Sequence, residues 1–397
     1  MPPPTFFGAT PIKIAVFHNL PSGGALRALA DKLATLVERG HRVAVYTFST
    51  SDGDQAFPAD LGQEIFVTPL DYRGFFCFKN YFESTRTAAE KINRSDVDCV
   101  LVEKCRYFGS PPILRYLKKK TLFYTQEPLR IRDYENLAPS PNTFIDPSPF
   151  KKDLFLWKRF LRTPGRLYLK DQDRKAIRSC RTVWTNSHFT AEWIRRAYGV
   201  EARVVYQGVD LQKFVPDRRT SRENFVLSVG RLDPVKGHDF VIEVLSCLPS
   251  SVRPQLKIIS DTSAPKYRAH LEKKARDKKV ILTIEEKIED SRLVVLYQEA
   301  AMVLCASFHE PFGLVPLEAM ACGAPVLAVE EGGYMETVVH GETGFLIRRE
   351  ERDWTAKIRQ LLLDPLLAGR LGTSGRRHVE SHWPRHLFAS RFEAFFV

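Results

Sequence analysis

At 397 residues, with 44% hydrophobic and 27% charged side chains, the chain has the length and balance of a folded protein with two domains. No block of about 18 residues is both apolar and charge-free, which leaves no candidate for a bilayer-crossing helix. The net charge of +12 is uneven: residues 1–207 hold 32 Lys/Arg against 21 Asp/Glu, and residues 208–397 hold 27 against 26. The basic excess therefore belongs to whatever the N-terminal half meets, with nucleic acid, an anionic membrane face and an anionic acceptor all admissible. RNP-type aromatic motifs, zinc-ligand spacing and helix-turn-helix cues are absent, so nucleic acid is not expected. Met1-Pro2-Pro3-Pro4 shows no basic n-region before an apolar core, so no secretory signal is expected. The seven cysteines (77, 99, 105, 180, 247, 305 and 322) are scattered and form no paired spacing. They read as reduced structural thiols in a cytoplasmic protein.

In chain order, residues 12–17 are a β run, 18–24 a turn-rich loop with Gly23-Gly24, 25–39 a helix ended by Gly40, and 42–48 a second strand. Residues 98–102 and 121–125 read as further parallel strands, with a crossover helix around 113–119. Gln126, Glu127 and Pro128 follow the second of these. Residues 133–149 read as a loop. The stretch 150–170 then mixes Trp157, Phe160 and Tyr168 with Lys151, Lys152, Lys158 and Arg159, and Pro164-Gly165 divides it into two helical pieces. Two readings of it stay open: a membrane-surface or acceptor element, and an ordinary helix with a solvated basic face.

Residues 182–187 form a strand and polar loop, 190–198 a helix before Gly199, and the linker falls near 208–223. A strand at 225–229 opens the second half. Behind it Gly230 and Gly237 bracket two cations, Arg231 and Lys236, at a βα turn before a helix starting at His238. Strands at 256–259 and 280–284 run into Ser260-Asp261 and Glu285-Glu286-Lys287. Residues 301–306 are a buried strand, Pro311 and Gly313 mark a loop, 314–322 a helix stopped by Gly323, and 325–329 another strand. This loop lies on the carboxyl edge of a parallel sheet, where open α/β folds bind ligands. Glu310 and Glu318 put hydroxyl acceptors beside a helix N-terminus that favours phosphate, a pairing suited to a sugar nucleotide.

The phrase E-P-F-G-L-V-P-L-E-A-M-A-C-G-A-P-V, with Glu310-x7-Glu318, resembles the signature of family 4 retaining glycosyltransferases. The resemblance is dense from Asn186 to Phe345. It implies the GT-B fold: α/β, two Rossmann-like domains facing a cleft, at 1–207 (acceptor) and 208–380 (nucleotide sugar), with a helix at 381–397 crossing back to the first. It implies an enzyme that moves a hexose from a donor such as GDP-mannose or a UDP-hexose to a hydroxyl of a glycan or lipid-linked acceptor, with retention and with no metal or other cofactor. Glu310, Arg231 and Lys236 are the implied catalytic residues. Gly23, Gly24, Gln126, Phe312, Gly313, Leu314, Val315 and Glu318 complete the implied donor site. Gln126 stands where many relatives carry a histidine, and a glutamine carries no proton at neutral pH. A sugar phosphorylase, a nucleotide-sugar epimerase and a silent sugar-nucleotide-binding protein are the alternatives. A cytoplasmic location, peripheral on an anionic membrane face, goes with the basic first half.

Overall fold

The computed structural model describes residues 10–20, 24–48, 63–66, 77–105, 108–128, 157–217 and 219–396. Of these, the residues up to Gln207 together with those from His386 form one compact unit, and Gly208–Arg385 form another.

The first unit is built on strands β1 (Lys13–Asn19), β2 (Arg42–Thr47), β3 (Gln63–Phe66), β4 (Cys99–Cys105), β5 (Lys120–Thr125), β6 (Thr182–Thr185) and β7 (Arg203–Val204). They are parallel, in the order β3-β2-β1-β4-β5-β6-β7. Helices α1 (Gly24–Glu38), α2 (Cys77–Arg94), α3 (Trp157–Ser179) and α4 (His188–Tyr198) make the connections. Both sheet faces are covered, so the strands read as continuous apolar runs rather than alternating ones. Ala15 and Phe17 of β1 join Val100, Phe123, Ile92 and Ile177 in one core. Ile14 and Val16 point the other way, into a core with Leu29, Leu33, Leu101 and Tyr124.

That second core contains a buried ion pair. Lys32 of α1 pairs with Glu103 of β4, their side chains 3% and 0% exposed, and the Lys32 ammonium lies 3.7 Å from the centroid of the Tyr124 ring. Burial pushes the Lys32 pKa down and the Glu103 pKa up, and their mutual attraction opposes both shifts.

The second unit repeats the plan with β8 (Glu223–Val229), β9 (Gln255–Ser260), β10 (Leu282–Glu286), β11 (Ala300–Cys305), β12 (Val326–Val329) and β13 (Phe345–Ile347). Its parallel order is β10-β9-β8-β11-β12-β13. Helices α5 (His238–Ser246), α6 (Pro265–Asp277), α7 (Asp290–Glu299), α8 (Leu314–Ala321), α9 (Tyr334–Thr337), α10 (Glu351–Leu363) and α11 (Pro365–His382) belong to it. The chain then returns to the first unit as α12 (Leu387–Phe396), whose Phe388, Ala389 and Phe392 enter the core beside Leu29 and Leu33. In the second sheet the strand order reverses between β8 and β11. The loops after those two strands therefore flank a topological switch point, the crevice where such sheets hold ligands.

Three expectations need correction. The crossover at 113–119 is a short 3-10 turn, Pro112–Arg115, entered through Pro111 and Pro112; the two prolines suit a short turn that supplies few amide donors. Pro164-Gly165 does not divide its helix, because α3 runs unbroken from Trp157 to Ser179. The proline costs one backbone bond, and the later turns are fixed by Asp173, Ala176 and Ile177, each 0% exposed. The final helix begins at Leu387: α11 ends at His382, and Pro384 separates the two.

Candidate active site

Behind β8, residues 230–237 form a loop fastened to the end of β11. The Asp233 carboxylate accepts from the Val235 N–H at 2.9 Å and shapes the turn Pro234–Lys236. The Phe308 N–H donates to the Val235 carbonyl at 2.8 Å. Gly237 has φ 72° and lies so close to β11 that a Cβ there would stand 2.1 Å from the Ala306 carbonyl oxygen. His238, fully buried, has Nδ1 3.0 Å from the Ser228 hydroxyl and Nε2 3.2 Å from the Arg231 carbonyl oxygen. Burial pushes its pKa down to about 4, so it is neutral; Nε2–H then donates to Arg231 and Nδ1 accepts from Ser228. The Arg231 backbone is thereby fixed while its side chain is exposed.

The loop brings Lys236 to the switch point. Its Nζ donates to Glu310 Oε2 at 2.8 Å, with the two side chains 21% and 19% exposed. Glu310 follows His309, a non-glycine residue with φ 45°, a conformation costing about 1–2 kcal/mol that is found chiefly where surrounding structure enforces it. The Glu310 carbonyl accepts from the Gly333 N–H at 2.7 Å, so the loop after β12 supports the loop after β11. Phe312 is buried and packs on Trp383, ring centroids 5.5 Å apart. Gly313, φ 105°, opens α8; a Cβ on it would meet the Tyr334 ring at 2.8 Å. Leu314 and Val315, half-buried, form the first turn, and Glu318 lies one turn further on. The Tyr297 hydroxyl donates to Glu318 Oε2 at 2.8 Å. Burial, reinforced by the Glu318 charge, holds that phenol well above its ordinary pKa, so it remains a donor.

The second unit thus brings together Arg231, Lys236, Glu310, Phe312, Gly313, Leu314, Val315 and Glu318. Gly24 and Gln126 belong to the first unit: Gly24 is the first residue of α1, behind β1, and Gln126 directly follows β5. Gln126 Nε2 is buried with no hydrogen-bond partner among the described residues. Its neighbour Glu127 pairs with Lys104 at 2.5 Å. Gly23 lies outside the described residues. Ser187 caps α4, accepting from the Thr190 N–H at 2.9 Å. Ser260 and Lys287 are joined by a backbone bond of 2.7 Å, and Glu286 pairs with Arg268 at 2.9 Å. His238, Tyr297 and Tyr334 shape the site without having been singled out as site residues. The signal available for Tyr334 is its place directly after Gly332-Gly333.

A carboxylate, a lysine and a helix N-terminus meet at the switch point of one of two parallel-sheet units. Residues 22–213 match the family model described as Glycosyltransferase Family 4, and residues 212–378 match Glycosyl transferases group 1. A D-inositol 3-phosphate glycosyltransferase of Rhodococcus jostii (strain RHA1) is 28% identical over 231 residues, 53% of this chain and 51% of the relative. The chain spans about half the length of the curated relatives of this kind that it matches. A sucrose-phosphate synthase of Thermosynechococcus elongatus superposes with a TM-score of 0.74 at 19% identity, covering 97% of this chain and 98% of that one. Anabaena HepE, solved with UDP and glucose, gives a TM-score of 0.71 at 18% identity, covering 97% and 99%. The chain belongs to the family 4 glycosyltransferases and has the GT-B fold.

Proposed function

We propose that the enzyme moves a hexose from a nucleoside diphosphate sugar to a hydroxyl of a glycan or lipid-linked acceptor, with retention and without a metal. The Lys236–Glu310 pair at the switch point carries this reading. On donor binding the partners exchange: the ammonium turns to the diphosphate and the carboxylate accepts from sugar hydroxyls, so neither charge is stranded in a half-buried place. Exposed Arg231 adds a planar fork for phosphate. The free amides of Gly313 and Leu314 meet the sugar and phosphate, and Glu318, oriented by Tyr297, takes the ribose hydroxyls. As the bond to the anomeric carbon breaks, negative charge grows on the diphosphate, where Arg231 and Lys236 stabilise it. The departing phosphate takes the acceptor proton on the same face of the sugar.

The test is release of UDP or GDP from a panel including UDP-glucose, UDP-N-acetylglucosamine and GDP-mannose, with thermal stabilisation as a parallel readout. Turnover of one donor supports the reading. Stabilisation without turnover would make the chain a binder, and the absence of both stabilisation and turnover would overturn the proposal.

Activity is expected to survive EDTA, because the two cations occupy the place of a metal beside the diphosphate. Complete loss in EDTA that Mg²⁺ or Mn²⁺ restores would end the metal-free mechanism.

The membrane reading draws on the 11 basic against 3 acidic residues of 151–181. Leu167 and Tyr168 add to it, 56% and 51% exposed on α3; the side chains of Trp157 and Phe160 lie outside the described residues. Each Lys or Arg at an anionic surface contributes on the order of 1 kcal/mol, so a few suffice for reversible attachment. Among the described residues no helix is long and apolar enough to cross a membrane. Sedimentation with phosphatidylserine vesicles should therefore fall as salt rises and the Debye length shrinks to ~8 Å or less. Unchanged binding after Lys151, Lys152, Lys158 and Arg159 all become glutamate would sink the idea.

A further inference from the structure

Arg349, just beyond β13, is no part of the donor site, yet its guanidinium reaches the supports of the loops that present Lys236 and Glu310. Its Nη1 donates to the Ala306 carbonyl at 2.7 Å and its Nη2 to the Ser307 carbonyl at 3.1 Å. The same group grips the Glu331 carboxylate, Nε at 3.2 Å and Nη2 at 3.1 Å. Its carbon lies 3.5 Å from the centroid of the Phe308 ring, and the side chain is only 15% exposed. A planar fork with five donors fills this arrangement; an ammonium on a flexible stem reproduces the charge and not the geometry.

Each contact point bears on a different part of the site. Ala306 is the carbonyl against which Gly237 packs, so fixing it fixes the turn that presents Lys236. Phe308 donates its N–H to Val235 in the same turn. Glu331 leads into Gly332-Gly333, and the Gly333 N–H holds the Glu310 carbonyl. One side chain therefore ties together the loops after β8, β11 and β12, which between them deliver Lys236 and Glu310. Its bonds reach the loops after β11 and β12 directly, and the loop after β8 through Ala306, against which Gly237 packs.

We infer that Arg349 is a positioning residue for the transfer step, holding the Glu310 carboxylate and the Lys236 ammonium in register across the switch point. The inference rests on the reading of Glu310 as the carboxylate that meets the donor sugar. Because Arg349 acts through the placement of those groups, its loss should lower turnover more than donor affinity.

The experiment compares the parent chain with its Arg349→Lys, Glu331→Gln, Glu310→Ala and Arg349→Lys/Glu310→Ala variants, on UDP-glucose or GDP-mannose as the donor screen directs. For Arg349→Lys, kcat should fall roughly tenfold to a hundredfold, the range of a misplacement of about 1 Å. KM for the donor and the thermal shift given by UDP or GDP should stay close to the parent values. Glu331→Gln, which keeps the carbonyl contacts, should show a smaller loss in the same direction. In the Glu310→Ala background, Arg349→Lys should cost little more, since residues acting as one unit are non-additive. Two results overturn the inference: parental kcat in the folded Arg349→Lys variant, or losses that multiply in the double variant. Parental turnover in Glu310→Ala alone would instead reject the underlying assignment of Glu310. Circular dichroism melts on every variant separate loss of fold from loss of register.

Discussion

Replacing Glu310 with alanine should all but stop sugar transfer while leaving nucleotide binding near its original strength, and replacing Glu318 should do the reverse. The two carboxylates sit at the same end of α8 but have different partners: Lys236 holds Glu310, and buried Tyr297 holds Glu318. Removing Glu310 frees Lys236 for the diphosphate, so affinity for the nucleotide has no cause to fall. What is lost is the acceptor of the sugar's hydroxyl bonds, at the step where the ring must be held for displacement. Removing Glu318 takes a charged hydrogen-bond acceptor from the ribose, a loss of about 1.5–3 kcal/mol or roughly ten- to a hundredfold in affinity. The measurement is donor turnover beside UDP or GDP titration for each variant. Equal and small effects of both substitutions on transfer would end the assignment.

Gly237→Ala should be the most destabilising single methyl group added to the second unit's ligand edge. The residue has φ 72°, which costs a non-glycine residue about 1–2 kcal/mol. Its new Cβ would also stand 2.1 Å from the Ala306 carbonyl oxygen, an atom that cannot swing away because Arg349 holds it at 2.7 Å. Overpacking of this kind typically adds about 1–3 kcal/mol. For a domain of this size each kcal/mol shifts Tm by about 2–4 °C, so a fall on the order of 5–15 °C is expected. Gly40→Ala is the control, since φ is 85° there but a Cβ would meet nothing within 4 Å. The difference between the two melts isolates the collision from the strain. Equal shifts in Tm would show that the Gly237 loop gives way, and that the close approach does not hold Lys236 in place.

Much of the architecture was legible because the chain signals it locally. Apolar runs mark β1, β8, β11 and β12, and the left-handed Gly199, Gly237 and Gly323 stand where the sequence places helix ends and turns. The loop between β11 and α8 was legible from one phrase, since Glu310, Gly313 and Glu318 lie within nine residues. What stayed hidden depends on contacts distant in sequence. Nothing around Lys32 announces that Glu103, 71 positions on, will bury with it. Tyr297 and Glu318 are 21 positions apart, and Arg349 reaches back 43 to Ala306. Pro164-Gly165 was misleading because a local helix-breaking signal was outweighed by packing further along α3. The cap of α4 was half visible: Ser187 was placed in a polar loop, but its bond to the Thr190 N–H requires the helix to begin at His188.

The return of α12 to the first unit has a consequence for how the molecule is made. Phe388, Ala389 and Phe392 are essentially without solvent exposure, and Phe388 lies 5.6 Å from the Lys32 ammonium, over the buried ion pair. Arg39 and His41, at the end of α1 and the start of β2, close on Glu393 of the same helix. A ribosome synthesises the strands of this unit first and the helix that seals them last, after the whole of the other unit has emerged. Until then the core beside Leu29 and Leu33 lacks Phe388, Ala389 and Phe392, and the lysine–glutamate pair lacks the ring that lies over it. The described residues of the second unit all lie between Gly208 and Arg385, so they need no segment translated after Arg385 to complete them. The strands of the first unit are thus translated well before the helix that completes their core, with residues 208–385 in between.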